Sequence, residues 1–484
     1  MYLGLDLGTS GVKALLIDGA QKIIASATAA LDVSRPHSGW SEQDAAQWVR
    51  ATEEAVATLK ASHGTALAAV KGIGLSGQMH GATLLDSSDK PLRPCILWND
   101  TRSHAEAAVL DADPRFRRIT GNIVFPGFTA PKLAWVQNNE PEIFAATAKV
   151  LLPKDYLRLW LTGEHISEMS DAAGTAWLDV EKRRWSPELL AATSLDESHM
   201  PRLVEGTERA GTLRADLASR WGMGNGVIVA GGAGDNAASA CGAGTVQAGS
   251  AFVSLGTSGV LFASNGAYLP NPESAVHTFC HALPNTWHQM GVILSATDSL
   301  NWLSGITGRS AGELTRELGE ELKAPTGVVF LPYLSGERTP HNDAVIRGSF
   351  TGLAHQTSRA ALTQAVVEGV AFAFRDSLEA LKQAGTELSR VTAIGGGSRS
   401  TYWLRAIATA LDLPVDIPAE GDFGAAFGAA RLGLIAAEGA DSLTVCTPPE
   451  ISSTIEPDAV LTPAFEEAYG RYRALYPAIR GVSP

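Results

Sequence analysis

The sequence predicts an α/β protein built from two similar domains that face each other across a cleft. A six-residue string, Leu7-Gly8-Thr9-Ser10-Gly11-Val12, recurs half a chain later as Leu255-Gly256-Thr257-Ser258-Gly259-Val260. Each copy follows a strand-like run (Tyr2 to Asp6, Ala251 to Ser254) and precedes another (Val12 to Ile17, Val260 to Ala263), so both read as hairpins in the same local context. The 484 residues suit two large domains or three of ordinary size. The repeat favours two, divided as 1–245 and 246–484. A composition of 45% hydrophobic and 18% charged residues is that of a globular chain and excludes a disordered, collagenous or coiled-coil one.

In the first half, the turn at Gly8 to Gly11 and a second at Asp18-Gly19 make the N-terminus a β-meander. Ser41 and Asp44 have the spacing of a capping box, and Trp48, Thr52, Ala55, Val56 and Leu59 then fall at helical intervals. Val70 to Leu75 is the next strand, as in a mixed α/β sheet. Val227 to Ala230 leads into Gly231-Gly232-Ala233-Gly234-Asp235-Asn236 and a helical stretch from Ala237 to Gly244, which places Asp235 near a helix N-terminus. Asn236 to Pro272 carries no charged residue, but its Gly, Ser, Thr, Asn and Gln content excludes a membrane span and predicts buried loops and strands. In the second half, a helical pattern over Ser358 to Ala384 is followed by a strand at Val391 to Ile394, the glycines 395–397 and a helix through Ala410.

With 38 Lys and Arg against 51 Asp and Glu, the formal charge is −13 and the sequence pI is near 5.4. That balance disfavours broad binding to nucleic acid or acidic lipid. The start, MYLGLDLGTSGVK, has no basic segment and reaches Asp6 after five residues, unlike a signal peptide, so a cytoplasmic location is expected. Cys95, Cys241, Cys280 and Cys446 are far apart and form no CxxC pair, which predicts reduced thiols rather than disulfides or a zinc site.

Alone, a Gly-Thr-Ser-Gly hairpin is a structural turn. Duplicated, its free N–H groups and hydroxyls can cradle phosphate oxygens. Gly8, Thr9 and Ser10 facing Gly256, Thr257 and Ser258 would grip a polyphosphate from both sides, so nucleotide binding is expected. The copies differ in their flanks: Asp6 and Lys13 border the first, Ser254 and Leu261 the second. The Asp6 carboxylate either holds Mg²⁺ through water or bonds its own turn. Asp235 either caps its helix or accepts a proton from an attacking hydroxyl, as phosphoryl transfer to an alcohol requires. The helix N-terminus is expected to keep it ionised. Gly396, Gly397 and Ser398 suit close approach to a flat ligand such as adenine. Ser76-Gly77-Gln78-Met79-His80-Gly81 ends a strand where open α/β sheets place ligands, and Trp98-Asn99-Asp100 is a similar polar cluster. Lys154-Asp155 reads as a helix start with a local ion pair worth about 0.3–0.5 kcal/mol.

Together these residues resemble the FGGY family of carbohydrate kinases, of the actin-like, ribonuclease H-like ATPase fold with an interdomain catalytic cleft. DLGTSGVK at 6–13 is similar to the family's first phosphate motif, SLGTSG at 254–259 to its second, and GGGSRS at 395–400 to its adenosine motif. Gly127 through Lys132, Trp135 and Asn139 resembles one family signature. Gly348 through Gly352 to Glu368 resembles the other, with Ala361 where a polar residue is expected. The resemblance implies ATP and Mg²⁺, with Lys13 among the nucleotide contacts. SGQMHG at 76–81, ILWND at 96–100, GAGDNAA at 232–238 and FLPYLSGERTPH at 330–341 resemble most the members that act on D-xylulose. That likeness implies ATP-dependent phosphorylation of the terminal hydroxyl to give xylulose 5-phosphate. It implies Asp235 as general base, Met79 and His80 as sugar contacts, and Trp98 and Asn236 in the sugar pocket. Asp6, and Asp235 with it, would lie near Mg²⁺ through water. A homodimer is compatible with the resemblance. The alternatives are a family member acting on ribulose, gluconate or glycerol, and a non-catalytic actin-like nucleotide switch.

Overall fold

The hairpin repeat extends to entire sheets. The computed structural model describes residues 1–419 and 421–481, so 482–484, at the end of the second expected domain, lie outside the described residues. In the first half, Tyr2–Leu7 lies between its antiparallel hairpin partner Gly11–Ile17 and the parallel strand Gly72–Gly77. Ile23–Ala30 continues beyond the hairpin, and Ile228–Ala230 and Arg209–Thr212 continue beyond Gly72–Gly77. In the second half, Ala251–Leu255 lies between antiparallel Gly259–Asn265 and parallel Val391–Ile394. Trp287–Ile293 flanks that hairpin, and Val415–Pro418 and Ile451–Ile455 flank Val391–Ile394. Six strands thus repeat in the same order and the same relative directions. Each half adds one strand of its own to make a seven-stranded sheet.

A long helix returns the chain across each sheet. Ala45–Ala68 buries Trp48, Thr52, Ala55, Val56 and Leu59, the stripe that the periodicity predicts. Its cap differs from the expected one: Asp44 itself accepts from the Ala46 amide at 2.9 Å. Ser41 is diverted because Glu42–Gln43 pairs as a short strand with Cys95–Ile96, and its own amide donates to Asp100 at 2.6 Å. The counterpart helix, Arg359–Gln383, is capped by Ser358 and fills the second core with Val366, Val370, Phe374 and Leu378.

One helix joins the halves. Ala425–Glu438 lies in sequence between the strands Val415–Pro418 and Ile451–Ile455 of the second sheet but packs on Tyr2–Leu7 and Gly72–Gly77 of the first, and on Asp235–Ala243. Backbones approach so closely that a Cβ on Gly74 would lie 1.7 Å from the Ala429 carbonyl oxygen, and one on Gly428 would lie 1.8 Å from that of Ala238. Only glycine fits there. All four cysteines are buried and free of disulfides. No helix among the described residues is long and apolar enough to cross a membrane.

Candidate active site

The site begins at the edge where three parallel strands of the first sheet end together. Asp6 is in register with Ser76, and Ser76 with Ala233; one step on, Leu7, Gly77 and Gly234 align. Asp235 follows Gly234 directly, so two carboxylates arise from one sheet edge with the strand Gly72–Gly77 between them. Asp235 is the first residue of its helix, and Gly234 is the N-cap. Asp235 is therefore not the N-cap itself, but its Oδ1 accepts from the Asn236 amide, a free N–H of the first turn, at 2.7 Å and from Asn236 Nδ2 at 3.0 Å. The helix N-terminus does not set its acidity. Burial, helped by the charge of Asp6, pushes Asp235 up to about 6, against the opposing hydrogen bonds from Asn236. Asp6 is also raised by burial, against the opposing effects of Ser76 and Lys13.

Beside this edge, the first hairpin is held by side-chain bonds. Gly8 closes the turn on the Gly11 carbonyl at 3.0 Å. The Thr9 hydroxyl accepts from Trp98 Nε1 at 3.0 Å and donates to Gln78 Oε1 at 3.1 Å, while its carbonyl accepts from Gln43 Nε2 at 2.6 Å. Ser10 is exposed, and Trp98 is 46% exposed. Lys13 pairs with Asp422, just before the helix that joins the halves.

Met79 and His80 follow the strand Gly72–Gly77. Met79 packs on Gly234, where a Cβ would meet its Sδ at 2.9 Å. His80 takes a left-handed conformation (φ +68°), stacks on Phe128 at 4.8 Å and bonds the Gly174 carbonyl through Nδ1 at 2.7 Å. Its own carbonyl accepts from Lys132 Nζ at 2.8 Å and the Thr129 hydroxyl at 3.1 Å. Burial lowers the imidazole to about 3, so the ring is neutral, its proton lies on Nδ1 toward the carbonyl, and Nε2 remains an acceptor.

In the second half, a cavity of about 630 Å³ brings the other hairpin to the glycine run. Gly256 and Thr257 line one side, Gly396 and Gly397 another, and Thr297, Asn301, Arg316 and Trp403 complete it. Thr297 donates both its amide, at 3.0 Å, and its hydroxyl, at 2.8 Å, to the Gly256 carbonyl. Ser258 is exposed, and the Ser398 hydroxyl bonds the Gly395 carbonyl at 2.7 Å; neither belongs to the lining. Thr297, Asn301 and Arg316 come from the helices Thr297–Thr307 and Ala311–Leu318, where the sequence carries no motif.

Lys154 and Asp155 form the local ion pair at a helix start that the sequence predicts, but the pair is fully buried. Lys154 Nζ lies 2.8 Å from Asp155, 3.1 Å from Asp171 and 3.4 Å from Glu168, all of them fully buried. The helix Pro153–Thr162 turns this end into the fold against Gly77, where a Cβ would come within 3.0 Å of Lys154 Cβ. Energies measured for exposed helical pairs therefore do not transfer.

Residues 1–242 match the model of the N-terminal domain of the FGGY family of carbohydrate kinases, and residues 251–437 match that of its C-terminal domain. The chain belongs to the FGGY family. It is 50% identical to the xylulose kinase of Escherichia coli (strain K12), with 98% of each chain covered. The crystal structure of a xyloylose kinase from Brucella ovis superposes with a TM-score of 0.99 at 70% identity over 100% of both chains. That of the xylulose kinase from Rhodospirillum rubrum gives 0.92 at 30% identity over 99% of both. The FGGY fold is thus present with both of its α/β halves, and the chain is an ATP-dependent sugar kinase.

Proposed function

We propose that this FGGY kinase transfers the γ-phosphoryl group of ATP to the terminal hydroxyl of D-xylulose, giving D-xylulose 5-phosphate. The observation that carries the reading is the place of Asp235: a carboxylate of raised pKa at a sheet edge, between Asp6 and the Met79-His80 turn. In this reading the cavity at Gly256 and Gly396 takes the nucleotide, and the two hairpins hold its phosphates. His80 Nε2 accepts from a sugar hydroxyl, and Asp235 takes the proton of the attacking one. Alignment of acceptor and phosphate is the main task in such a transfer, since its transition state asks for little covalent help. Closure of the halves 1–245 and 246–484 excludes water, the competing acceptor. The name of the half-identical relative and the turn SGQMHG support D-xylulose as the sugar.

The donors at the sheet edge fit Mg²⁺. Asp6 and Asp235 repel each other on either side of the buried Ser76. Such a set suits a hydrated ion that takes its other ligands from phosphate. When bound, Mg²⁺ supplies charge neutralisation on the phosphates. Asp6 would orient its water shell.

ADP release measured over D-xylulose, D-ribulose, gluconate and glycerol tests the reading. D-Xylulose should stimulate turnover most. Equal or greater stimulation by another sugar or polyol moves the substrate within the family, and no response to any sugar would favour the nucleotide-switch alternative.

A further inference from the structure

Behind the sheet edge lies a charged cluster that the proposed chemistry does not use. Lys154, Asp155, Arg158, Glu168 and Asp171 are all fully buried, which is costly unless each charge is paired. Two cations meet three carboxylates. Burial raises Asp171 well above the usual carboxylate range.

The cluster makes two contacts to the segment that delivers Asp235. Arg158 uses one nitrogen for Asp155 and the Ile166 carbonyl, at 2.6 and 2.7 Å, and the other for the Gly231 carbonyl. Glu168 accepts from the amides of Ser170, at 2.7 Å, and Asp171, at 2.9 Å, and from the Ser170 hydroxyl at 2.8 Å. With its proton committed to Glu168, the Ser170 oxygen is turned to accept from the Gly234 amide at 3.0 Å. Gly231 and Gly234 bracket the turn at Gly232 (φ +75°), and Asp235 is the next residue.

We propose that Ser170 is a positioning residue for Asp235: oriented by Glu168 and Lys154, its hydroxyl fixes the Gly234 peptide and so aims the carboxylate that follows. Arg158 fixes the other end of the same turn. Glycines at 231, 232 and 234 leave this segment with few side chains to hold it, so beyond its pairing with Gly72–Gly77 and the bonds of the Gly231 and Gly232 amides to the Glu208 and Gly206 carbonyls, these two anchors fix it. The proposal rests on Asp235 being the base.

The test is a double-mutant cycle on the full-length enzyme with D-xylulose and ATP. Ser170→Ala should lower kcat about 10- to 100-fold, the scale of a misplaced catalytic group, and leave the KM for D-xylulose within about twofold. In the Asp235→Asn background, the same change should alter kcat by less than about twofold, because the group it aims no longer acts. A Ser170→Ala enzyme within about twofold of the parent overturns the proposal, and so does an equal loss in both backgrounds. A near-parent kcat for Asp235→Asn alone instead refutes the base assignment, and this inference with it. If Ser170→Ala does not fold, Ser170→Cys keeps the volume, supplies a much weaker acceptor and is read in the same way.

Discussion

Asp6 and Asp235 rise from one sheet edge on either side of Ser76, and the charge of Asp6 increases the affinity of Asp235 for a proton. The sequence holds these two residues nearly half a chain apart. Burial first, and then the nearby charge of Asp6, make the Asp235 carboxylate a base suited to work near neutral pH.

The pH dependence follows from that pairing. Asp235 must be ionised to accept a proton, so kcat/KM should fall as the pH drops through about 6. Asp6→Asn removes the like charge and should move this limb to lower pH. Stability runs the other way. A carboxyl whose folded pKa lies above its unfolded value contributes most below the unfolded pKa, and that contribution is lost as the pH rises through about 6. Asp235→Asn should therefore stabilise the fold at pH 7 by roughly 1–2 kcal/mol, allowing for solvent in the cleft, and much less at pH 4. Thermal melts at the two pH values read the difference.

The asymmetry of the hairpins gives a second prediction. Ser254 occupies the place in the second sheet that Asp6 occupies in the first, each at the end of the strand before its hairpin. Asp6→Asn should raise the Mg²⁺ concentration required for half-maximal turnover at fixed ATP, with a smaller effect from Ser254→Ala. Equal losses with unchanged Mg²⁺ titrations would make Asp6 a turn residue only.

A third prediction concerns the helix that joins the halves. Gly74→Ala would drive a methyl group into the Ala429 carbonyl and should cost about 3 kcal/mol or more, seen as a large fall in Tm or as insoluble protein. Gly470→Ala, in the C-terminal helix Thr462–Ile479 with nothing within 4 Å, should instead stabilise by about 0.5–1 kcal/mol.

The repeated hairpin was legible because Gly, Thr and Ser are what a phosphate-sized turn needs, and finding it twice foretold the repeated sheets. The helix at 359–383 was legible within a residue at each end, since its cap and its apolar stripe are both local. Asp235 could be placed at the start of a helix, but its acidity depends on burial and on Asp6, which local pattern does not carry. Lys154-Asp155 reads from local sequence only as an ion pair at a helix start. Only the packing of Pro153–Thr162 against Gly77 shows that it is buried. Thr297, Asn301 and Arg316 sit in ordinary helical sequence and acquire meaning only where the glycine run meets them.

The account depends most on Asp235, and Asp235→Asn tests it most directly. Asn preserves size and helix-start propensity but cannot accept the proton. With D-xylulose and ATP saturating, kcat should fall about 10²- to 10⁴-fold, while Tm stays at or above that of the parent. A variant that phosphorylates D-xylulose at near the parent rate would contradict the proposed chemistry, even with the kinase fold intact.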